Sequence, residues 1–159
     1  MNGVKIMADA VKITRVFDAP VKRVWKFWAE SKYCKKWWGP EGFSAPAIKI
    51  DFRVGGTYLY CMRGPDKKDY WNTGTYKKII PLKQIINTDS FADKNGKIVP
   101  ASYYGMPGIW PKQLLVTFTF EDKKGKTKLT ITQAGVPKKM IAMCKLGWAT
   151  SLDKIDRNL

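Results

Sequence analysis

The C-terminal end of the chain constrains the fold most. From Pro137 onward, Ile141, Cys144, Trp148, Leu152, Ile155 and Leu159 recur at spacings of 3, 4, 4, 3 and 4. That is one apolar stripe along one side of an α-helix. A helix of about 22 residues would be about 33 Å long, enough to cross a small sheet. With no second apolar face, this helix needs a single broad partner, and the concave side of a curved sheet provides one.

The residues before it supply that sheet. From 43 to 133, Gly55-Gly56, Gly64-Pro65-Asp66, Pro81, Asn95-Gly96 and Lys124-Gly125 mark turns between runs rich in Tyr, Ile, Thr, Val and Phe. Val116, Phe118 and Phe120 alternate with Thr117 and Thr119, and Leu129 and Ile131 alternate with Lys128, Thr130 and Thr132. These two strands, joined across 122–126, form a hairpin with one apolar and one wet face. Val11, Ile13 and Phe17 suggest an earlier strand over 10–17. Asp18-Ala19-Pro20 then stops the strand and opens a helix on which Val21, Val24, Trp25 and Trp28 share a face. A second short helix is expected over 31–38, ended by Gly39-Pro40. The class is α+β: a curved antiparallel β-sheet around a long C-terminal α-helix, with two short helices after the first strand.

At 159 residues, 45% hydrophobic and 13% aromatic, the chain suits one filled core. One domain is expected over 8–159, with 1–7 as an N-terminal extension and Met7 as an alternative start. No apolar run reaches the roughly 18–20 residues of a membrane span, and no apolar N-terminal stretch reads as a secretory signal. A soluble cytoplasmic protein is expected. Cys34, Cys61 and Cys144 are odd in number and widely spaced, which suits free buried thiols rather than a disulfide framework or a zinc site.

There is no histidine, so no Ser-His-Asp triad, Cys-His pair or histidine-ligated metal can form. Acid–base chemistry would fall to Asp, Glu, Lys or Tyr. Glu30, Glu41, Asp51, Asp66, Asp69 and Glu121 sit mostly at turns or element ends and form no paired signature. The formal charge is +16, a field that attracts polyanions. Yet only Arg15, Arg23, Arg53, Arg63 and Arg157 are arginines, and the lysines are spread over the whole chain. Nucleic-acid readers cluster their charge and lean on Arg, so nucleic acid is not the expected partner. No nucleotide-binding glycine motif is present, no cofactor is expected, and nothing in the pattern speaks to oligomeric state.

Two anomalies suggest a pocket. Met140, Cys144, Gly147 and Ser151 lie beside the apolar stripe of the last helix. Gly inside a helix costs roughly 1 kcal/mol relative to Ala, so Gly147 calls for a reason, either close packing or a cavity. The stretch 97–113 holds Pro100, Pro107, Pro111, Gly105 and Gly108 among Tyr103, Tyr104, Met106, Ile109 and Trp110. Loops this long are often lids or binding loops. With Trp38, Tyr58, Tyr60, Trp71, Tyr76, Tyr104, Trp110, Phe118 and Trp148 as further lining or lid candidates, the pocket suits an apolar or aromatic small molecule.

The strings Thr14-Arg15-Val16-Phe17-Asp18-Ala19-Pro20, Val24-Trp25, Lys36-Trp37-Trp38-Gly39-Pro40-Glu41-Gly42-Phe43, Asp51-Phe52-Arg53-Val54-Gly55-Gly56, Met62-Arg63-Gly64-Pro65-Asp66, Gly74-Thr75-Tyr76, Gly125-Lys126-Thr127 and Gly147-Trp148-Ala149-Thr150-Ser151-Leu152-Asp153-Lys154 occur in order. Together they resemble the SRPBCC (START-like, Bet v 1-like) superfamily, in the branch named after the C-terminal domain of the activator of Hsp90 ATPase. The resemblance spans nearly the whole chain. It implies a helix-grip fold with a ligand cavity between sheet and long helix, and no common catalytic residue. Relatives bind lipids, sterols, polyketides or plant hormones, and some are cyclases. The eukaryotic co-chaperone carries an additional N-terminal domain, for which 159 residues leave no room, so direct Hsp90 activation is not expected. Non-catalytic binding of a small hydrophobic or aromatic ligand is the reading. The alternatives are a co-chaperone-like module with a protein partner, and a cyclase- or hydrolase-type enzyme.

Overall fold

The computed structural model describes residues 10–159; the expected extension over 1–7 and a domain start at Ala8 lie outside the described residues. Seven strands, β1 (Val11–Phe17), β2 (Ser44–Ile50), β3 (Thr57–Arg63), β4 (Asp69–Ile80), β5 (Gln84–Ala92), β6 (Leu114–Lys123) and β7 (Lys126–Ala134), form one sheet. Its order is β1-β7-β6-β5-β4-β3-β2, with every pair antiparallel. β1 and β2 are therefore opposite edges. Two helices, α1 (Val21–Ala29) and α2 (Ser31–Cys34), carry the chain from one edge to the other, and α3 (Ile141–Arg157) follows β7. Register shifts between Ser44 and Ala47 and between Tyr76 and Lys78 bend the sheet, as bulges do. The result is the helix-grip arrangement.

The alternation seen in the sequence sets the inner face. Val116, Phe118, Phe120, Leu129 and Ile131 are all buried, with Phe118 opposite Ile131 and Phe120 opposite Leu129. The β6–β7 connection is shorter than the expected 122–126. Only Lys124 and Gly125 turn, both at positive φ, the backbone that a two-residue hairpin requires.

Both expected helix lengths shrink. α2 ends at Cys34 because the next amides tighten: Lys36 N–H donates to Tyr33 O and Trp37 N–H to Cys34 O, three residues back. α3 starts at Ile141, since residues Lys138–Met140 form a 3₁₀ turn closed by Met140 N–H on Pro137 O at 2.8 Å. Its 17 residues span about 26 Å.

The main cluster gathers Phe17, Trp28, Trp37, Phe118, Leu152 and Ile155 between sheet and helices. A smaller one joins Val11, Leu114, Val136 and Met140, and Trp148 packs against both. The C-terminal half of α3 is also tied by polar contacts. Lys154 Nζ donates to Gly39 O, Pro40 O and Phe43 O at 2.7, 3.0 and 2.9 Å. Arg15 on β1 reaches Asp153 and Asp156 at 2.9 and 2.7 Å.

Candidate functional site

Between the sheet and α3 lies an enclosed cavity of about 20 Å³, room for about one water molecule. Six residues expected from the sequence line it: Trp38, Tyr58, Tyr60, Tyr76, Phe118 and Trp148. Strand alternation turns Tyr58 and Tyr60 inward together, their rings stacked at 4.3 Å. The tight turn after α2 delivers Trp37 and Trp38 in succession, and Gly39, at φ +98°, ends it. Trp38 packs on Tyr60 at 4.5 Å and on Trp148 at 5.9 Å. Trp148 comes from α3, is only partly buried, and is anchored by its indole N–H on Gln133 Oε1 at 2.9 Å.

Trp28, Trp37, Ile85, Asn87, Asp89 and Val116 complete the wall and are not among the lining candidates read from the sequence. Trp28 belongs to the apolar stripe of α1 and reads as ordinary core. A signal for Ile85, Asn87 and Asp89 existed in β5. Ile85, Asn87, Asp89 and Phe91 alternate along one face, and polar residues at two inward positions of a strand mark a wet interior.

Those polar residues form a network. The Tyr58 hydroxyl lies 2.8 Å from both Thr88 O and Asp89 Oδ1, and its single proton serves one of them at a time. Asn72 Nδ2 donates to the same Oδ1 at 2.7 Å, and Asn87 Nδ2 donates to Thr88 O at 2.9 Å. Gly74 makes this possible. A Cβ there would lie 1.9 Å from Thr88 O and 2.6 Å from the Tyr58 hydroxyl. Burial lifts the Asp89 carboxyl to about 6, opposed by the bonds from Asn72 and Tyr58. Burial also pushes Tyr58, Tyr60 and Tyr76 above the usual phenol range and Cys34 up to about 12. At neutral pH the phenols and this thiol are neutral, and the nearby group that changes charge is Asp89.

Three buried side-chain polar atoms find no partner among the described residues: Trp28 Nε1, Trp38 Nε1 and the Tyr76 hydroxyl. All three belong to residues of the cavity wall. The Tyr60 hydroxyl is close enough to lower the Tyr76 pKa as a hydrogen-bonding neighbour, yet their geometry falls short of a full bond. By contrast, Trp37 Nε1 donates to Phe27 O at 2.7 Å.

The remaining candidates lie outside this wall. Trp71 pairs with Cys61 and Ala92 and so shares their face, opposite to that of Tyr60. The Tyr104 hydroxyl accepts from Trp71 N–H at 3.0 Å and donates to Ala92 O. It ties the 97–113 loop to the end of the β4–β5 ladder. Trp110 packs on Phe91 at 5.3 Å and lines, with Met106, an open cleft of about 490 Å³ beneath that loop. Met140 is buried in the smaller cluster. Cys144 is partly buried, and its thiol is raised first by burial and then by the charge of Asp89. Gly147 has the least expected surroundings. A Cβ built on it meets nothing within 4 Å, so close packing does not explain it. Ser151 is buried and turns its hydroxyl back onto Gly147 O at 2.8 Å.

Among the described residues no group of three or more His, Cys, Asp or Glu is placed to hold a metal ion, and no helix is long and apolar enough to cross a membrane. The fold is shared with solved structures. A protein of Chromobacterium violaceum is 28% identical, with a TM-score of 0.78 over 95% of this chain and 96% of its own. One of Arthrobacter aurescens is 27% identical, with a TM-score of 0.78 over 96% and 86%. One of Mycobacterium smegmatis is 24% identical, with a TM-score of 0.78 over 98% and 91%. No curated protein matches the sequence. The family described as "Activator of Hsp90 ATPase homolog 1-like protein" matches residues 18–159, which is β1's last residues' successor Asp18 through the C-terminus, and the chain belongs to that family.

Proposed function

We propose that this protein binds a small apolar or aromatic molecule between the sheet and α3, without catalysing a reaction on it, as one cytoplasmic domain over 8–159. The observation that carries the reading is the adjacency of two spaces. Asp89 borders the enclosed cavity and Phe91, two residues along the same face of β5, borders the cleft beneath the 97–113 loop. The cleft, at about 490 Å³, falls within the ~300–1,000 Å³ of small-molecule sites, whereas the cavity alone holds about one water. A ligand that displaces Phe91 or Trp110 would join them. The candidates Met140 and Cys144 then border its path, and Trp71, Tyr104, Gly147 and Ser151 support the walls.

Native mass spectrometry of the purified protein, compared with its denatured mass, tests this. A co-purified small molecule that is lost on denaturation supports the reading and gives its mass. A clean apo mass, together with a protein recovered in stoichiometric amount and indifferent to substitutions in the cavity, would favour the co-chaperone-like reading that the family description suggests.

A further inference from the structure

We infer that the outer surface carries an interaction site separate from the interior: the tip of the 97–113 loop and the outer side of the first turns of α3 form a docking face for an anionic lipid bilayer. Ile109, at the loop tip, is 93% exposed, and Met143 and Leu146 on α3 are largely exposed as well. These side chains are not scattered. A Cβ on Gly108 would lie 3.1 Å from Pro137 Cβ and 3.4 Å from Lys139 Cε, so the loop tip rests on the turn that leads into α3. Met143 and Leu146 follow from that turn, three residues apart and so on one side of the helix. The tip is held in shape by Trp110, whose indole N–H donates to Pro107 O at 2.8 Å and whose ring packs on Phe91. Ile109 is thereby presented to the outside.

Charge names the occupant. Lys112, Lys138, Lys139 and Lys145 are all exposed and lie on the same two segments. None of the four is ion-paired among the described residues. The sequence has no Asp or Glu in 94–120 or in 123–152, and the first carboxylate along α3, Asp153, is held by Arg15 at 2.9 Å. A second copy of the chain would set these lysines against one another, so self-association through this face is opposed. A nucleic acid would use the lysines and leave Ile109, Met143 and Leu146 in water. An anionic bilayer uses both. Its headgroups meet the ammonium groups, the apolar side chains enter the acyl boundary, and the lysine stems lie along the apolar surface.

Sedimentation of the full chain with vesicles tests this, using phosphatidylcholine alone or with about 30 mol% phosphatidylglycerol, at ~0.15 M salt. Binding to the anionic vesicles is expected to be at least about tenfold tighter than to the neutral ones. Ile109→Ser/Met143→Ser/Leu146→Ser should weaken it about tenfold. Lys138→Gln/Lys139→Gln/Lys145→Gln should weaken it about a hundredfold. Lys22→Gln/Lys35→Gln/Lys77→Gln removes the same charge from exposed positions elsewhere and should cost far less. The comparison of the two vesicles on the unaltered protein stands even if a variant fails to fold, and equal or absent binding there overturns the inference. An equal loss from the two lysine variants would overturn it in favour of net charge alone, and full binding by the serine variant would overturn the apolar insertion. Polyglutamate bound as tightly as the anionic vesicles, and weakened as much by the serine substitutions, would assign the face to an acidic protein partner instead. No outcome depends on what the interior holds.

Discussion

The two halves of α3 meet the sheet on different terms. In the C-terminal half, Ser151, Leu152, Lys154 and Ile155 are buried. Lys154 caps three carbonyls of the 39–43 turn, Arg157 reaches Glu41 Oε1 at 3.1 Å, and Arg15 joins the helix to β1. In the N-terminal half, Met143 and Leu146 are 61% and 66% exposed, and Gly147 faces open space. The same contrast holds for the two inward charges. The Lys154 ammonium has three acceptors, one for each of its protons. The Asp89 carboxylate, near Cys144 under the loose half, takes both its hydrogen bonds on one oxygen. One end of the helix is a fixed anchor, and under the proposed function the other serves as a cover. A domain that must admit a ligand without unfolding needs both, since opening is drawn from the least stable part of a structure.

Breaking the anchor should have the largest effect. Lys154→Met keeps the length of the side chain but removes three charge-assisted hydrogen bonds and strands three turn carbonyls. A loss of about 3 kcal/mol is expected, read from urea denaturation at neutral pH. Lys145→Met, on the exposed side of the loose half, should stay within about 0.5 kcal/mol. If the two substitutions cost the same, the anchor and cover are not distinct.

A smaller effect should appear beneath the cover, and it should depend on pH. Unfolded aspartate titrates near 3.9, while Asp89 in the folded protein titrates at about 6. The folded state therefore holds more protons between these values, so stability falls as pH rises from about 4 to about 6 and then levels. Asp89→Asn keeps an oxygen for Tyr58 and Asn72 and removes the titration. The variant should match the parent near pH 4 and exceed it by about 1–3 kcal/mol at pH 7.5, allowing for the partial exposure of the residue. Urea midpoints at the two pH values would show it. An equal loss at both would mean that the second carboxylate oxygen has a structural partner.

The anchor was largely legible in the sequence and the cover was not. The spacing of Trp148, Leu152, Ile155 and Leu159 fixes which side of the helix is buried, because apolar burial dominates there. The inward strand faces of β6 and β7 follow from simple alternation. Lys154 gave no sign, since a lysine beside an apolar stripe reads as solvated until a turn brings three carbonyls to it. The cavity was half legible. Aromatic residues betray themselves by type, and Trp38, Tyr58, Tyr60, Tyr76, Phe118 and Trp148 come together as a wall. Asp89 and Asn87 share that wall without announcing it by type, and only their alternation with Ile85 and Phe91 along β5 hints at an inward position. The reach of the 97–113 loop was equally hidden: Tyr104 is held by a hydrogen bond to strand ends that lie far from it in sequence.

The smallest effect tests the cover itself, and its sign is opposite to that of Lys154→Met. Gly147 calls for a reason in the sequence, either close packing or a cavity, and a Cβ there touches nothing within 4 Å. Nor does its backbone require glycine, for it lies inside α3 and is absent from the glycines at positive φ. Gly147→Ala should therefore gain helix propensity at no steric cost, raising stability by up to about 1 kcal/mol. If the N-terminal half of α3 is a cover that loosens to admit a ligand, stiffening it should also slow amide exchange there, in 141–147, more than in the anchored half. Hydrogen exchange resolved by residue would measure both halves at once. Slowing confined to the loose half would sharpen the division between cover and anchor, and uniform slowing along α3 would show that the helix opens as one unit.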